Sequence, residues 1–172
     1  MLDIHITEFY NDVGRIFSKL YGTFPRQVTL WVEDISGSDT PDEYGLHSER
    51  YQACYATFLW LADEGYIRFG DVEKQDAFNH CCLTQQGYSL LAGIVFDEGG
   101  HYRPIEHIRT ALKDKSSSAL ESAVTDIIHQ AIKKRHWSLG HFASHVFNQC
   151  KTPKSYYNPN HLCTDDLGNF LH

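Results

Sequence analysis

The segment DTPDEYGLHSER, residues 39–50, concentrates side chains that could do chemistry. Its carboxylates and its imidazole are Asp39, Asp42, Glu43, Glu49 and His47. These groups bind divalent metals and exchange protons, so a metal site or a general acid–base site is one interpretation of their density. The other interpretation is a pair of helix starts, because the same residue types cap helices.

Helix capping accounts for most of this segment. Residues 40–43, TPDE, fit the N-cap, first-turn proline and capping-box glutamate of a short helical turn that ends at Gly45. Ser48 fits the N-cap of the next helix, with Glu49 at its first position. The residues that capping leaves unexplained are Asp39, Tyr44 and His47. We therefore treat these three as candidates for contact with a partner.

The C-terminal part of the chain holds a second cluster of potential ligands. His141 and His145 are four residues apart, so both imidazoles share a face if HFASH is helical. Cysteine and histidine are the usual ligands of structural zinc, and the further candidates are Cys150, His161 and Cys163. Their spacing matches no standard zinc finger, so histidines on the surface of an amphipathic helix are the alternative. Zinc is the one cofactor that the sequence suggests.

Motifs of nucleophilic catalysis and nucleotide binding are missing from the sequence. It contains no Gly-x-Ser-x-Gly, no phosphate-binding loop and no dinucleotide fingerprint. His80 is followed by Cys81 and Cys82, but alternation along a strand would send His80 and Cys81 to opposite faces. We therefore predict a non-enzymatic protein whose cysteines are buried and reduced.

Composition favours a folded protein of one domain, or one small domain with a helical piece. The chain has 172 residues, of which 42% are hydrophobic, and no apolar run approaches the ~18 residues of a membrane span. The N-terminus MLDIHITEFY lacks the basic start and apolar core of a signal peptide, so a cytoplasmic location is expected. A net charge of −7 weighs against a surface devoted to nucleic acid.

Hydrophobic periodicity predicts the first secondary-structure elements, which must position these residues. A stripe from Ile6 to Tyr21 predicts a first helix, and alternation over 28–32 predicts a strand. A helical turn at 33–36 follows, and then an apolar helix from Ser48 to Gly65 that should be buried on most of its circumference. YIRFG and FNHCCLT read as two strands joined by the charged tip DVEKQDA.

Three further helices are predicted after this hairpin. Thr84 caps the first, whose apolar stripe is Tyr88, Leu91, Ile94 and Val95. DEGGHYRP, rich in glycine, is a break. Ile105, Ile108 and Leu112 mark the second helix. The third runs over 118–135 with Ser118 and Glu121 as a capping box, and its stripe begins at Leu120.

This order of elements resembles the winged helix-turn-helix fold. The residues that carry the resemblance are FLWLADEGYIRFG, 58–70, and CLTQQGYSLL, 82–91. The longer stretch DTPDEYGLHSERYQACYATFLWLADEGYIRFG is similar to the signature of an uncharacterised bacterial winged-helix family, and the match covers roughly residues 1–95. The resemblance implies a winged-helix domain over 1–98, hence a mainly α protein with a small β-sheet. Beyond the match, the sequence itself predicts a helical extension over 99–136 and an irregular tail over 137–172.

Winged helices of transcriptional regulators place the helix before the wing in the major groove of DNA. The residues that suit such a role are Arg50, Gln52, Arg68 and Lys74, with Lys133, Lys134 and Arg135 brought in by a dimer partner. Between Glu33 and Glu49, however, six carboxylates occur without a single Lys or Arg, which would repel the phosphates. We therefore predict a regulatory or adaptor protein that acts through protein–protein interaction. A repressor-like, DNA-binding dimer is the alternative, and a zinc-stabilised or zinc-dependent protein is the second alternative.

The resemblance to winged-helix regulators also implies a homodimer, because in many of them a helix C-terminal to the wing pairs across a two-fold axis. The residues proposed for this surface are Ile105, Ile108, Leu112, Leu120, Ile127 and Ile128. The competing expectation is that the same stripes pack on the winged-helix domain of their own chain.

Overall fold

The computed structural model describes residues 4–97 and 100–132. The helices are α1 (Ile4–Thr23), α2 (Glu33–Ser36), α3 (Glu49–Asp63), α4 (Gln85–Ala92), α5 (Pro104–Lys113) and α6, which covers 117–132. The strands are β1 (Val28–Trp31), β2 (Ile67–Arg68), β3 (Asp71–Glu73), β4 (Ala77–Leu83), β5 (Val95–Asp97) and β6 (Gly100–Tyr102). The predicted class, mainly helical with a small antiparallel sheet, is confirmed. Among the described residues, no helix has the length and apolarity that a membrane crossing requires.

The sheet is built around β4, which pairs antiparallel with β1, β2 and β3. The chain turns from β3 into β4 at residues 74–76, where Lys74 and Gln75 both have positive φ, as a type I′ turn requires. We call residues 74–76 the wing turn. The predicted hairpin is confirmed, although its tip is shorter than predicted, because Asp71–Glu73, assigned to the tip, forms β3.

A bulge at His80 interrupts the alternation of β4. His80 has a φ of 55°, and the register between β1 and β4 shifts between Val28 and Leu30. As a result, Cys81 and Cys82 are both buried, whereas His80 is exposed. His80 and Cys81 therefore do not share a pocket, as predicted, but the reason is a bulge and not simple alternation. The described cysteines, Cys54, Cys81 and Cys82, are free thiols.

Two glycines permit close packing of helices. Gly87 of α4 lies against the backbone of Tyr66, where any Cβ would clash with the carbonyl group. Gly14 of α1 lies under Leu120 of α6, and a Cβ there would stand 2.7 Å from Leu120 Cδ1. Gly87, the glycine of CLTQQGYSLL, thus lets α4 approach the backbone at Tyr66, between α3 and β2.

Helices α5 and α6 complete the hydrophobic core of one compact unit, which extends over Met1–Lys134. Of the six residues proposed for a dimer surface, Ile105, Ile108, Leu120 and Ile127 are buried, and Leu112 and Ile128 pack against the core from its edge. These residues therefore pack within their own chain, because α1 covers them. The predicted paired-helix contact is corrected, whereas a homodimer through another surface stays a prediction. The proposed domain boundary at residue 98 stays a prediction.

Other local predictions were wrong. The stripe assigned to α4 ends early, since the helix stops at Ala92, Ile94 is exposed and Val95 belongs to β5. Part of the break DEGGHYRP forms the hairpin of β5 and β6. The N-cap of α6 is Ser116, whose hydroxyl accepts from Ala119 N, and not Ser118. Full burial of α3 is confined to one face, formed by Tyr51, Cys54, Thr57, Phe58 and Leu61.

Candidate functional site

The loop between α2 and α3 is organised by Asp42 and contains no helical turn. Asp42 Oδ1 accepts hydrogen bonds from the backbone N–H groups of Tyr44 at 2.9 Å and Leu46 at 2.8 Å. Aspartate side chains compete with helix formation in this way, which explains why the predicted capping box at 40–43 is wrong. The turn leaves the side chains of Tyr44 and Leu46 80% and 62% exposed.

Asp39 fixes the point where this loop enters α3. Its Oδ2 accepts from Ser48 N at 3.3 Å and lies 2.8 Å from His47 Nδ1. Ser48 itself caps the helix by accepting from Tyr51 N, as predicted. The hydrogen bond from His47 is the main reason that the pKa of Asp39 is lowered from its ordinary value. Asp39 is thus an anionic acceptor at the start of α3.

His47 joins the loop to the wing turn. Its ring stacks on Tyr51, with centroids 3.9 Å apart and planes inclined by 9°. Nδ1 faces Asp39, and Nε2 lies 3.4 Å from Asp76 Oδ1. Tyr51 Oη donates to the same Asp76 oxygen at 3.1 Å, and burial raises the pKa of Tyr51, so that this phenol stays a donor. Both ring nitrogens face carboxylates, so the imidazole lies between the loop and the wing turn and contacts both.

Metal binding by this cluster has no geometric support within the part of the chain that the structure describes. No group of three or more His, Cys, Asp or Glu side chains there is arranged to hold an ion. The zinc-ligand candidates His141, His145, Cys150, His161 and Cys163 lie outside the described residues, as do Lys133, Lys134 and Arg135. The zinc hypothesis therefore stays a prediction that concerns the tail alone.

A cavity of about 280 Å³ opens beside His47. It lies between the loop, the first turns of α3 and the wing turn. The residues that line it are Gly45, Leu46, His47, Tyr51, Gln52, Tyr55 and Gln75. Tyr55 packs on the buried ring of Phe78, which fixes one wall of the cavity to the sheet. The cavity thus combines aromatic rings with two side-chain amides.

The side chain of Arg50 points from α3 towards α1. Its guanidinium forms a two-point ion pair with Asp12 of α1, through Nη1–Oδ2 at 2.8 Å and Nη2–Oδ1 at 2.5 Å. Asp12 is 1% exposed, and Glu8 lies 3.9 Å from Arg50 Nε. Burial raises the pKa of Asp12, and the Arg50 cation opposes that rise. Arg50, a DNA-contact candidate only under the alternative function, therefore links α1 to α3.

The remaining DNA-contact candidates do not meet on one helix face. Gln52 is exposed on α3, and its amide donates to His47 O at 2.7 Å. Arg68 is exposed on β2 and Lys74 on the wing turn. The exposed stripe of α3 consists of Glu49, Gln52, Ala56, Leu59 and Asp63, which includes two carboxylates and no cation.

Three residues of the site were missed by sequence reasoning: Asp12, Tyr51 and Asp76. Asp12 had a recognisable signal, because it lies beside Val13 and four residues before Ile16, on the core face of α1. A carboxylate on a buried helix face needs a partner. Tyr51 and Asp76 are 25 residues apart, so only the packing of the β3–β4 hairpin against α3 brings them together. Comparison of the chain with protein-family models, curated proteins and solved structures finds no match.

Proposed function

We propose that this chain is a winged-helix protein that acts through protein–protein interaction, as a regulatory or adaptor module. The contact surface is the loop-wing face, which we define as the loop 39–48, the exposed stripe of α3 and the wing turn 74–76. The order of α1, β1, α2, α3 and the β3–β4 hairpin supports the winged-helix assignment.

The ion pair between Arg50 and Asp12 is the observation that carries this proposal. With Arg50 engaged, Lys74 is the only Lys or Arg side chain that the loop-wing face presents, and all three segments of this face are described. The exposed carboxylates of the same face are Asp42, Glu43, Glu49, Asp63 and, beside the turn, Glu73. Binding to DNA depends on cations that displace counterions from phosphates, so an anionic face favours a protein partner.

Exposed apolar side chains give this face a second property of interaction surfaces. Tyr44 and Leu46 project from a turn that Asp42 holds in shape. Aromatic residues on a preorganised loop bind partners at low entropic cost. A loop held by Asp42 and joined to the wing by His47 therefore suits recognition.

The alternative is a DNA-binding regulator that uses Gln52, Arg68 and Lys74, with Arg50 as a fourth contact. Arg50 could reach a base only after leaving Asp12, and removal of one partner from a buried pair costs about 3–5 kcal/mol. The protein-interaction proposal requires no such rearrangement.

A photo-crosslinking experiment tests the proposal. Benzoylphenylalanine replaces Tyr44 in the full-length protein, which is then irradiated in an extract of the cells that produce it. We expect a discrete protein adduct that Leu46→Glu suppresses and Ile94→Glu leaves unchanged, since Ile94 is comparably exposed but lies outside the face. Adducts of equal yield in both variants, or no adduct, would contradict the proposal.

A further inference from the structure

We infer that the cavity in the loop-wing face accepts an arginine side chain of the partner. This inference rests on the proposed function and assigns the partner a chemical class: a basic segment whose arginine is the anchor. The cavity's size, its lining and the charge around it each support this occupant.

The volume fits a side chain better than a cofactor. Small-molecule sites usually enclose ~300–1,000 Å³, and this cavity, at about 280 Å³, lies just below that range. Residues that anchor protein complexes commonly fill pockets near the centre of an interface, and Arg, Trp and Tyr are the most frequent anchors. The choice among these three depends on the lining and the charge.

The lining suits a planar cation. The half-buried Tyr55 lines the cavity with an aromatic ring, and a guanidinium stacks on such a ring more readily than an ammonium does. Gln52 and Gln75 add side-chain amides whose oxygens can accept hydrogen bonds from a guanidinium. The Gln52 amide nitrogen already donates to His47 O, but an apolar Trp or Phe anchor would leave the amide oxygens of Gln52 and Gln75 without partners inside the complex.

Charged groups around the cavity also favour a cation. Asp39 and Asp76 flank His47 on either side, so the local charge is negative whether the imidazole is neutral or protonated. Glu49 and Glu73 extend the negative field beyond the cavity, and Lys74 is the one opposing cation on the wing turn. The position is unfavourable for phosphate or carboxylate ligands.

A titration of the full-length protein with small probes tests the inference. N-acetyl-L-arginine amide is compared by NMR with N-acetyl-L-citrulline amide, a neutral analogue of nearly the same shape, at constant ionic strength. We expect the arginine probe to shift the ring signals of Tyr51 and Tyr55, with the citrulline probe at least about fivefold weaker, as loss of a cation–π contact implies. Equal effects of the two probes, or shifts located elsewhere, would overturn the inference.

Variants localise the binding without disturbing the fold. Gln75→Lys places a cation at the cavity and should weaken the arginine probe about tenfold, whereas Lys74→Gln should strengthen it. Gln27→Lys is the matched control, because it makes the same charge change at the end of β1 remote from the wing turn. If Gln27→Lys weakens binding as much as Gln75→Lys, the effect is one of net charge and the cavity is not the site.

The two proposals can fail separately. An adduct at Tyr44 that depends on Leu46, together with no response to the arginine probe, rejects the arginine anchor and keeps the interaction face. A specific arginine response without any protein adduct rejects the proposed function and leaves the cavity as a cation site.

Discussion

Replacement of Arg50 by alanine should destabilise the protein strongly, and the loss should depend on pH. Asp12 is 1% exposed, so without Arg50 its carboxylate is left in the core without its main counter-charge. Removal of one partner from a buried pair costs about 3–5 kcal/mol. We expect about 3 kcal/mol at pH 8, near the lower limit, because the Arg50 side chain is 29% exposed.

The direction of the pH dependence follows from Asp12. Burial already raises its pKa above the ordinary 3.8, and Arg50 is the main group that opposes this rise. In Arg50→Ala the native pKa should rise further, so that the native state binds a proton at pH values where the unfolded chain does not. Stability then increases as pH falls through the raised native pKa towards 3.8. The loss of stability, measured against wild type at each pH, should therefore shrink between pH 8 and pH 5.

Urea unfolding followed by tryptophan fluorescence at pH 8, 7, 6 and 5 measures this effect. The double variant Asp12→Asn/Arg50→Ala is the control, because it removes the titrating group and should flatten the difference from wild type. A loss below about 1 kcal/mol for Arg50→Ala, or a loss that grows on acidification, would refute the assignment of Arg50 to the buried pair.

The remaining predictions concern the loop, the thiols and the tail. Asp42→Ala should remove two side-chain hydrogen bonds, cost about 1 kcal/mol by urea unfolding and accelerate proteolysis at 42–46, with Glu43→Ala as the unaffected control. Burial raises the pKa of Cys54 and of Cys81 to about 12, so both thiols should resist a thiol reagent at pH 8 until urea unfolds the chain; rapid labelling of the native protein would contradict their burial. Zinc bound by the tail would survive purification without chelator and slow tail proteolysis; absence of zinc by metal analysis, with equal proteolysis when zinc is added, would end that hypothesis.

Local signals predicted much of the fold because capping and periodicity act within a few residues. The stripe of α1 and the hydroxyl caps at Ser48 and Thr84 are of this kind, and the structure confirms them. The prediction of a capped helical turn at TPDE was wrong because the same acidic residue can cap a helix or close a turn. Only the geometry of the folded loop decides between the two. The hairpin of β5 and β6 has strands of three residues each, too short for alternation to be visible.

The contacts that determine the site lie far apart in sequence and had weaker signals. Arg50 and Asp12 are 38 residues apart, and Arg50 looked like a surface residue because it follows the N-cap of an exposed helix start. The apolar stripe of α6 indicated that another surface must cover it, but the sequence did not indicate which surface does so. The structure places that stripe on α1, which removes the predicted dimer contact and leaves the acidic loop-wing face as the candidate for recognition.

Gel retardation of mixed genomic DNA fragments at 50 mM salt tests the central claim most directly, because non-specific binding to DNA is strongest at low salt. The protein-interaction account predicts no retardation by the wild-type protein at micromolar concentration. Retardation that weakens as salt rises, and that Lys74→Glu abolishes while Arg26→Glu does not, would contradict it and establish the loop-wing face as a DNA-binding surface.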